Sequence, residues 1–563
     1  MVGGKRAMEL AAAGLVAALG LGACAGGESP RRSALLLSLD TTRADALSCY
    51  GGGAATPNLD RLAREGILFE RAHTVVPITL PAHASMLTGL IPLRHGLRDN
   101  GAAALPESAT TLAELAQARG VQTAAFVASI VLAPAFGLDQ GFEVYGSPGR
   151  EEGSDEARAL HGGERRAGKQ VDLALAWLEG RDRSRPFFLW VHFYDPHAPY
   201  DPPPGTEGSD PYLGEVAAMD REIGRLFAGL EADGALDETT ILAIADHGEA
   251  FGEHGERTHA AYCYEPTLAV PFLLRLPDGR RAGERSRAVV SVVDVFPTLA
   301  GAMGLDPGPG GLDGSNLLGA IDTERSIYFE SYYGYITHGW SPLAGTVDAR
   351  WKYIHSSEPE LFDLDVDPAE EHNLVASAPE RAARLRESLA GFDELEKLSA
   401  SDAAIDADLI ANIQALGYSG MAGENAVLPA PAKGSALPSP RSQSSWFDAY
   451  ERAQGLRRAG RLDEAAAVFE SVLRTNPADY QAIEELAGIR YGQGRVAEAL
   501  AGFRRLTESG PGRARHFYSL GLCLSATGDL EGARAAIAHA VEMAPNRPAY
   551  ARTLRKLEAR LGG

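Results

Sequence analysis

Cysteine is scarce: four in 563 residues. Cys49, Cys263 and Cys523 stand far apart and Cys24 belongs to the N-terminal leader, so neither a disulfide framework nor a zinc knuckle is expected. Cys49, after a motif-rich loop, and Cys523, in a helical repeat, read as small buried apolar residues. Positive charge is also in deficit. With 53 Lys and Arg against 75 Asp and Glu, the net charge is −22, which argues against nucleic acid as a partner. It says little about a small anionic substrate, because a bound cation reverses the field locally. A membrane-spanning run is missing too. Met8 to Leu21 is apolar but too short to cross a bilayer comfortably.

That run reads as an address. Lys5 and Arg6 precede it, and it ends in Leu21-Gly22-Ala23-Cys24. This resembles a bacterial lipoprotein signal: residues 1–23 would be removed, Cys24 lipidated, and 24–33 left as a tether. An ordinary secretory signal is the alternative. Either way the chain is expected to be exported, as a periplasmic or outer-membrane-anchored lipoprotein that meets the membrane through its lipid. Gly26, where an inner-membrane signal would carry Asp, favours the outer membrane by analogy.

Three apolar runs end in residues that bind metals. Ser33 to Leu39 is followed by Asp40, and Thr240 to Ala245 by Asp246-His247-Gly248. Phe187 to Val191 is followed by His192, Asp195 and His197. Such runs read as buried strands, and ligands in open α/β sheets sit beyond the strands' carboxyl ends. One shared site is the simplest reading. Further strands are expected at Val121 to Val127 and Val270 to Leu274. Helices are expected at Gly168 to Leu178, Gly214 to Leu230 and Val293 to Met303. The alternation predicts an α/β fold with a mainly parallel sheet between helices, over residues 34–398. A linker follows at 399–445, rich in Pro and Ser toward its end.

Residues 446–563 repeat. Gly460, Gly494 and Gly528 are 34 residues apart, as are Ala465, Ala499 and Ala533, and Pro477, Pro511 and Pro545. Phe469, Phe503 and Ile537 keep the same spacing. The pattern resembles tetratricopeptide repeats, with Pro548 to Leu561 as a capping helix. Such an array either binds a peptide or protein partner or docks on the domain before it.

The segments Leu39-Asp40-Thr41-Thr42-Arg43-Ala44-Asp45, Thr56-Pro57-Asn58-Leu59-Asp60 and Thr79-Leu80-Pro81-Ala82-His83 resemble sulfatases of the alkaline phosphatase superfamily. Ala245-Asp246-His247-Gly248-Glu249, Tyr264-Glu265, Trp351-Lys352-Tyr353-Ile354 and Asn373-Leu374 extend the likeness in the family's order. The resemblance implies an alkaline-phosphatase-like fold and a metal-dependent ester hydrolase. It makes Asp40, Asp246 and His247 metal ligands, with Thr79 completing the set. The family's second acidic ligand is replaced by Thr41. Two carboxylates, an imidazole and a hydroxyl suit zinc or manganese; calcium fits only with water and substrate filling its remaining positions.

One departure decides the chemistry. The family's formylglycine comes from Cys or Ser, whereas Thr79 would oxidise to a ketone, so no formylglycine is expected. Thr79 is then an unmodified nucleophile, set at the start of a helix where an anionic oxygen is favoured. Asn100 occupies the place where relatives touch a non-bridging substrate oxygen, and His83 stands at the position of a family Arg. His197 and His259 are candidates for protonating the leaving group or stabilising charge. Asp195, His197 and His259 could instead hold a second metal. His192 and His254 are weaker candidates. The leading reading is hydrolysis of a small anionic phosphate or sulfate ester, with phosphorus chemistry preferred. The alternatives are transfer of a phospho-group between envelope lipids or glycans, and a degenerate binding protein working through its repeats.

Overall fold

The computed structural model describes residues 32–561, apart from 102, 149–163, 205–209, 309–310, 511, 545–546 and, save Ser401, Ile405 and Leu409, 400–427. The leader with Cys24 therefore lies outside the described residues, as do Pro511, Pro545 and parts of the loops 146–169 and 201–211. Among the described residues no helix is long and apolar enough to cross a membrane.

Eight strands build the central sheet: β1 (Ser33–Leu39), β2 (Ile67–His73), β3 (Gln122–Phe126), β4 (Val144–Gly146), β5 (Phe187–Phe193), β6 (Thr239–Ala245), β7 (Phe272–Arg275) and β8 (Glu284–Ser291). Their order is β4-β3-β5-β1-β6-β7-β2-β8. Every neighbouring pair is parallel except those of β7, which runs against both β6 and β2. β5 and β6 are buried along their whole length, as expected of continuous apolar strands covered on both faces. Each large side chain buried there contributes roughly 1.5–3 kcal/mol. Trp190 keeps its one polar atom satisfied by donating to Ser38 Oγ (2.8 Å).

Helices pack on this sheet close to where the sequence puts them. Ala167–Gly180 lies on β5 and β3, and Val295–Ala302 on β6. Pro211–Ala232 starts at Asp210, whose carboxylate accepts from the amides of Tyr212 and Leu213, a cap followed by Pro in the first turn. The sequence reading missed a second, antiparallel sheet of β9 (Ile327–Ser331), β10 (Leu343–Val347), β11 (Trp351–His355) and β12 (Glu360–Asp363). It is tied in by a buried ion cluster: Lys352 Nζ lies 2.9 Å from Glu265 and 2.8 Å from Glu370. Two of the late motif residues, Glu265 and Lys352, thus serve the fold.

Three helix pairs follow: Ser445–Arg458 with Leu462–Thr475, Tyr480–Gly492 with Val496–Glu508, and Ala514–Thr527 with Leu530–Met543, closed by Pro548–Leu561. Gly460, Gly494 and Gly528 take φ of +74°, +74° and +90°, a backbone that suits glycine at the turn inside each pair. Ala465, Ala499 and Ala533 are fully buried where the paired helices approach. The described end of the Pro-rich stretch lies on the α/β domain. Pro429, Pro438 and Pro440 accept hydrogen bonds from Tyr332, Ser341 and Tyr262. The apolar core then runs without a break from the sheet into Trp446, Phe469 and Ala482. Cys263 and Cys523 are buried and Cys49 is half-buried; all three are free thiols.

Candidate active site

β1 lies between β5 and β6, with Leu39 in register with Phe193 on one side and Ala245 on the other. The residues that follow therefore emerge at one level of the sheet's carboxyl edge. Asp40, Asp246 and His247 are fully buried, and each turns one ligand-type atom to within 4.8 Å of the others. Among the described residues this is the one such set.

The atoms of this cluster are suited to a cation. Both Asp40 carboxylate oxygens and Asp246 Oδ2 are buried without a hydrogen-bond partner. Asp246 Oδ1 is held by the amides of Thr41 (3.2 Å) and His247 (2.8 Å). His247 Nδ1 donates to the Gly248 carbonyl (3.0 Å), which fixes the tautomer and leaves Nε2 as a lone pair. That nitrogen is 3.4 Å from Asp246 Oδ2 and 3.9 Å from Asp40 Oδ1. Burial pushes the Asp40 carboxyl up to about 7, against the pull of His247. Burial, with the Asp40 charge beside it, pushes Asp246 up as well. Two facing carboxylates in a water-poor pocket are costly unless a cation or a proton joins them. Orphaned acceptors, with an imidazole nitrogen whose partner is the Thr79 hydroxyl, fit a divalent metal.

Thr41 holds this geometry at a local cost. Its φ is +49°, a left-handed backbone that a β-branched residue seldom adopts. Tyr212 steadies the turn by donating to the Thr41 carbonyl (3.0 Å), and the Thr41 amide then meets Asp246.

Thr79 is the first residue of the helix Thr79–Thr88, after an extended Ile78. The sequence suggests an N-cap; the structure puts Thr79 one position later, and its hydroxyl does not cap. It lies 3.3 Å from His247 Nε2. Asn100 takes over the capping role, with Oδ1 accepting from the Leu80 amide (2.9 Å). Its Oδ1 is engaged by the helix start, and a substrate oxygen would accept from its Nδ2. His83, a candidate for substrate contact, is fully buried. Its Nδ1 donates to the Thr79 carbonyl (2.8 Å) and lies 3.6 Å from Asp246 Oδ2. Burial pushes it down to about 3, so it is a neutral wall behind Asp246. His192 is closer to the cluster than its weak sequence signal suggests. It accepts from the Ala128 amide at Nδ1 (3.1 Å), so its proton sits on Nε2, 3.3 Å from Asp40 Oδ2.

A second group of side chains faces the cluster. His259 and His247 have ring centres 4.5 Å apart, and His259 and His197 5.3 Å apart. His259 Nδ1 is 3.0 Å from Glu249 Oε1, while Tyr200 donates to Oε2 (3.0 Å). Burial pushes Glu249 up to about 7 and His259 down to about 4. Both shifts favour neutral partners sharing one hydrogen-bond proton. His197 Nδ1 donates to the Ala198 carbonyl (2.8 Å). Asp195, by contrast, is committed to the helix Ala167–Gly180: it accepts from the Ala167 amide (2.8 Å) and lies 3.3 Å from Arg166. The alternative metal set of Asp195, His197 and His259 does not assemble. His254 is remote, stacked on Tyr264 at 3.7 Å.

Two carboxyls escaped the sequence reading as site residues. Glu249 closes the Asp246-His247-Gly248-Glu249 motif, so its place was signalled. Glu164 carried no signal, since it lies in a Gly- and charge-rich loop. It lines a cavity with Tyr194, Asp195 and His197, and burial together with the Asp40 charge pushes it up to about 8, against the Tyr194 hydroxyl.

A mainly parallel sheet with a buried carboxylate–imidazole cluster and a hydroxyl at its carboxyl edge describes an α/β hydrolytic domain. Residues 32–305 match the sulfatase family model, and residues 252–398 match N-sulphoglucosamine sulphohydrolase, C-terminal. The tetratricopeptide repeat model matches 450–514 and 489–548. An N-acetylglucosamine-6-O-sulfatase of Bacteroides thetaiotaomicron is 25% identical, over 68% of this chain and 90% of its own length. An arylsulfatase of Clostridium perfringens is 25% identical, over 64% and 94%. The fold recurs in the crystal structure of a phosphonate monoester hydrolase of Agrobacterium radiobacter, with a TM-score of 0.53 at 24% identity, covering 64% of this chain and 95% of that one. It recurs also in a protein solved with D-glucosamine-2-N,6-O-disulfate, with a TM-score of 0.56 at 23% identity over 65% and 98%. The chain belongs to the sulfatase family: it is a sulfatase-superfamily hydrolase that carries tetratricopeptide repeats. Proteins of this family bind a divalent metal.

Proposed function

We propose that this protein cleaves a small anionic phosphate or sulfate ester by direct attack of the Thr79 hydroxyl. The observation that carries this reading is the position of Thr79 Oγ1. It stands at the start of a helix, 3.3 Å from His247 Nε2, beside three orphaned carboxylate oxygens. Asp40, Asp246 and His247 would hold one divalent cation, zinc or manganese before calcium. Bound there, it would lower the pKa of a neighbouring hydroxyl and neutralise charge on the substrate.

The chain's own residues account for the rest. The positive end of the helix Thr79–Thr88 favours an anionic oxygen and an anionic substrate. Thr79 gives its proton to solvent, and its oxygen bonds to phosphorus or sulfur as the bond to the leaving oxygen breaks. His259 gives its Nε2 proton to that leaving oxygen while its Nδ1 takes up the proton it shares with Glu249, and His197 faces the same space. Water then cleaves the threonyl ester and restores Thr79. Phosphate esters are preferred, because a threonine side chain cannot supply the aldehyde that sulfatases use. Export as a lipoprotein, through the Cys24 signal, completes the proposal.

The test is a map of the covalent adduct on protein mixed with aryl phosphodiester, phosphonate monoester or aryl sulfate and quenched during turnover. A phospho- or sulfo-group on Thr79, absent in Thr79→Ala, is expected. Turnover that survives Thr79→Ala unchanged overturns the mechanism. A product built on an added alcohol acceptor, with no release to water, would make the protein a transferase.

A further inference from the structure

Glu249 and His259 stand at the two feet of one loop. The Ala250 amide donates to the Thr258 carbonyl (2.8 Å) and the Gly252 amide to the Glu256 carbonyl (2.7 Å), so residues 250–258 double back as a narrow hairpin. The side chains at its feet close it, with His259 Nδ1 3.0 Å from Glu249 Oε1. The way out of the hairpin is strained. Ala260, next to His259, has φ +87°, a left-handed backbone that a Cβ disfavours. Such a backbone persists only where its surroundings hold it.

Two neighbours hold this one. On one side is the α/β domain. Arg43 Nη1 donates to the Glu249 carbonyl (3.0 Å) and pairs with Glu253 (2.7 Å), and Ser331 Oγ at the end of β9 donates to the Ala260 carbonyl. On the other side is the start of the first repeat. Ser444, just before the helix Ser445–Arg458, touches the hairpin at Gly255, where an added Cβ would lie 2.8 Å from Ser444 Cβ. Tyr262 follows His259 by three residues and is 1% exposed. Its hydroxyl donates to the Pro440 carbonyl (3.0 Å), and its ring lies 5.7 Å from that of Phe447. Arg257, on the hairpin itself, reaches Asp448 (2.6 Å) and Glu451 of the same repeat helix. Those ion pairs are exposed and add little; the buried contacts of Tyr262 decide the fit. The repeat is itself anchored. Asn476 Nδ2, just past the helix Leu462–Thr475, donates to the His338 carbonyl (2.6 Å), and the Trp446 ring lies 3.9 Å from the His338 ring.

We propose that the first repeat completes the acid side of the active site, with Tyr262 and Phe447 as positioning residues that hold the His259 segment so that Nε2 meets the leaving oxygen. Without either contact the turn at Ala260 can relax, and the His259 ring moves with it. A general acid has to stay within hydrogen-bond reach of the oxygen it protonates, and a displacement of about 1 Å costs roughly a hundredfold in rate. The loss falls on leaving groups that need the proton and spares the Thr79 helix. This inference rests on reading His259 as the acid, and its test separates the two.

Full-length wild type is compared with Tyr262→Phe, Phe447→Ala and Arg534→Ala, the last on an exposed ion pair elsewhere in the repeats. His259→Gln is made alone and with each of the first two. Hydrogen exchange is followed over residues 249–262 and 79–86. Turnover is measured with two esters of the class the protein cleaves, one releasing nitrophenolate and one an alkoxide. Faster exchange over 255–262, with 79–86 unchanged, is expected for Tyr262→Phe and Phe447→Ala and not for Arg534→Ala. With it, kcat for the alkoxide ester should fall by about tenfold or more at nearly constant KM. The nitrophenolate ester should lose much less, and neither substitution should slow His259→Gln further. Unchanged exchange over 255–262, or a rise spread over the whole chain, overturns the clamp. So does faster exchange with undiminished turnover of the alkoxide ester, provided His259→Gln slows that ester selectively. If His259→Gln slows both esters alike, the acid assignment itself fails and the positioning role falls with it. Should Phe447→Ala fail to fold, Tyr262→Phe, which keeps the ring, reads the same contact.

Discussion

Replacing Asp40 by Asn should stabilise the metal-stripped protein while it abolishes function. Asp40 is fully buried, and burial raises its carboxyl from 3.8 to about 7. In the folded chain without metal it therefore keeps its proton across a range where the unfolded chain has lost it. The folded state binds more protons, so stability falls as pH rises from about 4 to about 7 and levels off above. A shift of about three units corresponds to roughly 4 kcal/mol. That is an upper figure, since Asp246 is raised by the same burial and shares the proton. Asn cannot ionise and escapes the loss. The assay is denaturant unfolding of chelator-treated wild type and Asp40→Asn at about pH 5 and about pH 8. Relative to the wild type, the variant should be more stable by roughly 1.6 kcal/mol at the lower pH and by up to roughly 4 kcal/mol at the higher. Adding zinc or manganese should stabilise only the wild type, by roughly 2.7 kcal/mol at a hundred times its Kd. Equal pH slopes for both metal-stripped proteins would refute the buried-carboxylate argument. Stabilisation of Asp40→Asn by metal, equal to that of the wild type, would refute the ligand assignment.

Three further outcomes are expected. Thr79→Ala should lower turnover by at least about a thousandfold, with Thr79→Ser retaining part of it, while zinc binding measured by calorimetry changes much less. Glu249→Gln and His259→Gln should each lower kcat by roughly a hundredfold or more, and by less for substrates whose leaving oxygen needs no proton, such as nitrophenolate; equal losses for good and poor leaving groups would exclude His259 as the acid. Asn476→Ala should cost roughly 1–2 kcal/mol and free the repeats from the helix Tyr333–His338, seen as protease cleavage near residue 440; an unchanged digestion pattern would show that this hydrogen bond does not hold the interface.

The sequence determined the architecture because its signals are local. Continuous apolar runs can only be buried strands here, and each of the three central ones ends in the residues found at the site. The 34-residue period fixed the helix pairs through its glycines and alanines. The antiparallel sheet β9–β12 was not legible, because its short strands carry mixed polar faces such as Glu330, Lys352 and Glu360, whose burial depends on partners far along the chain. Only the tertiary structure set Asp195 aside for a helix start and moved the cap of the Thr79 helix to Asn100. It alone set Glu164 in a cavity with Tyr194 and His197 and turned Glu249 onto His259. It also laid the Pro-rich stretch and the repeats against the domain, where spacing gave a linker and an array whose docking there was one of two readings. Strand and repeat identity follow from periodic contacts between near neighbours, which a sequence records. The role of a polar side chain follows from which distant atom completes its hydrogen bonds, and that is decided only when the chain has closed on itself.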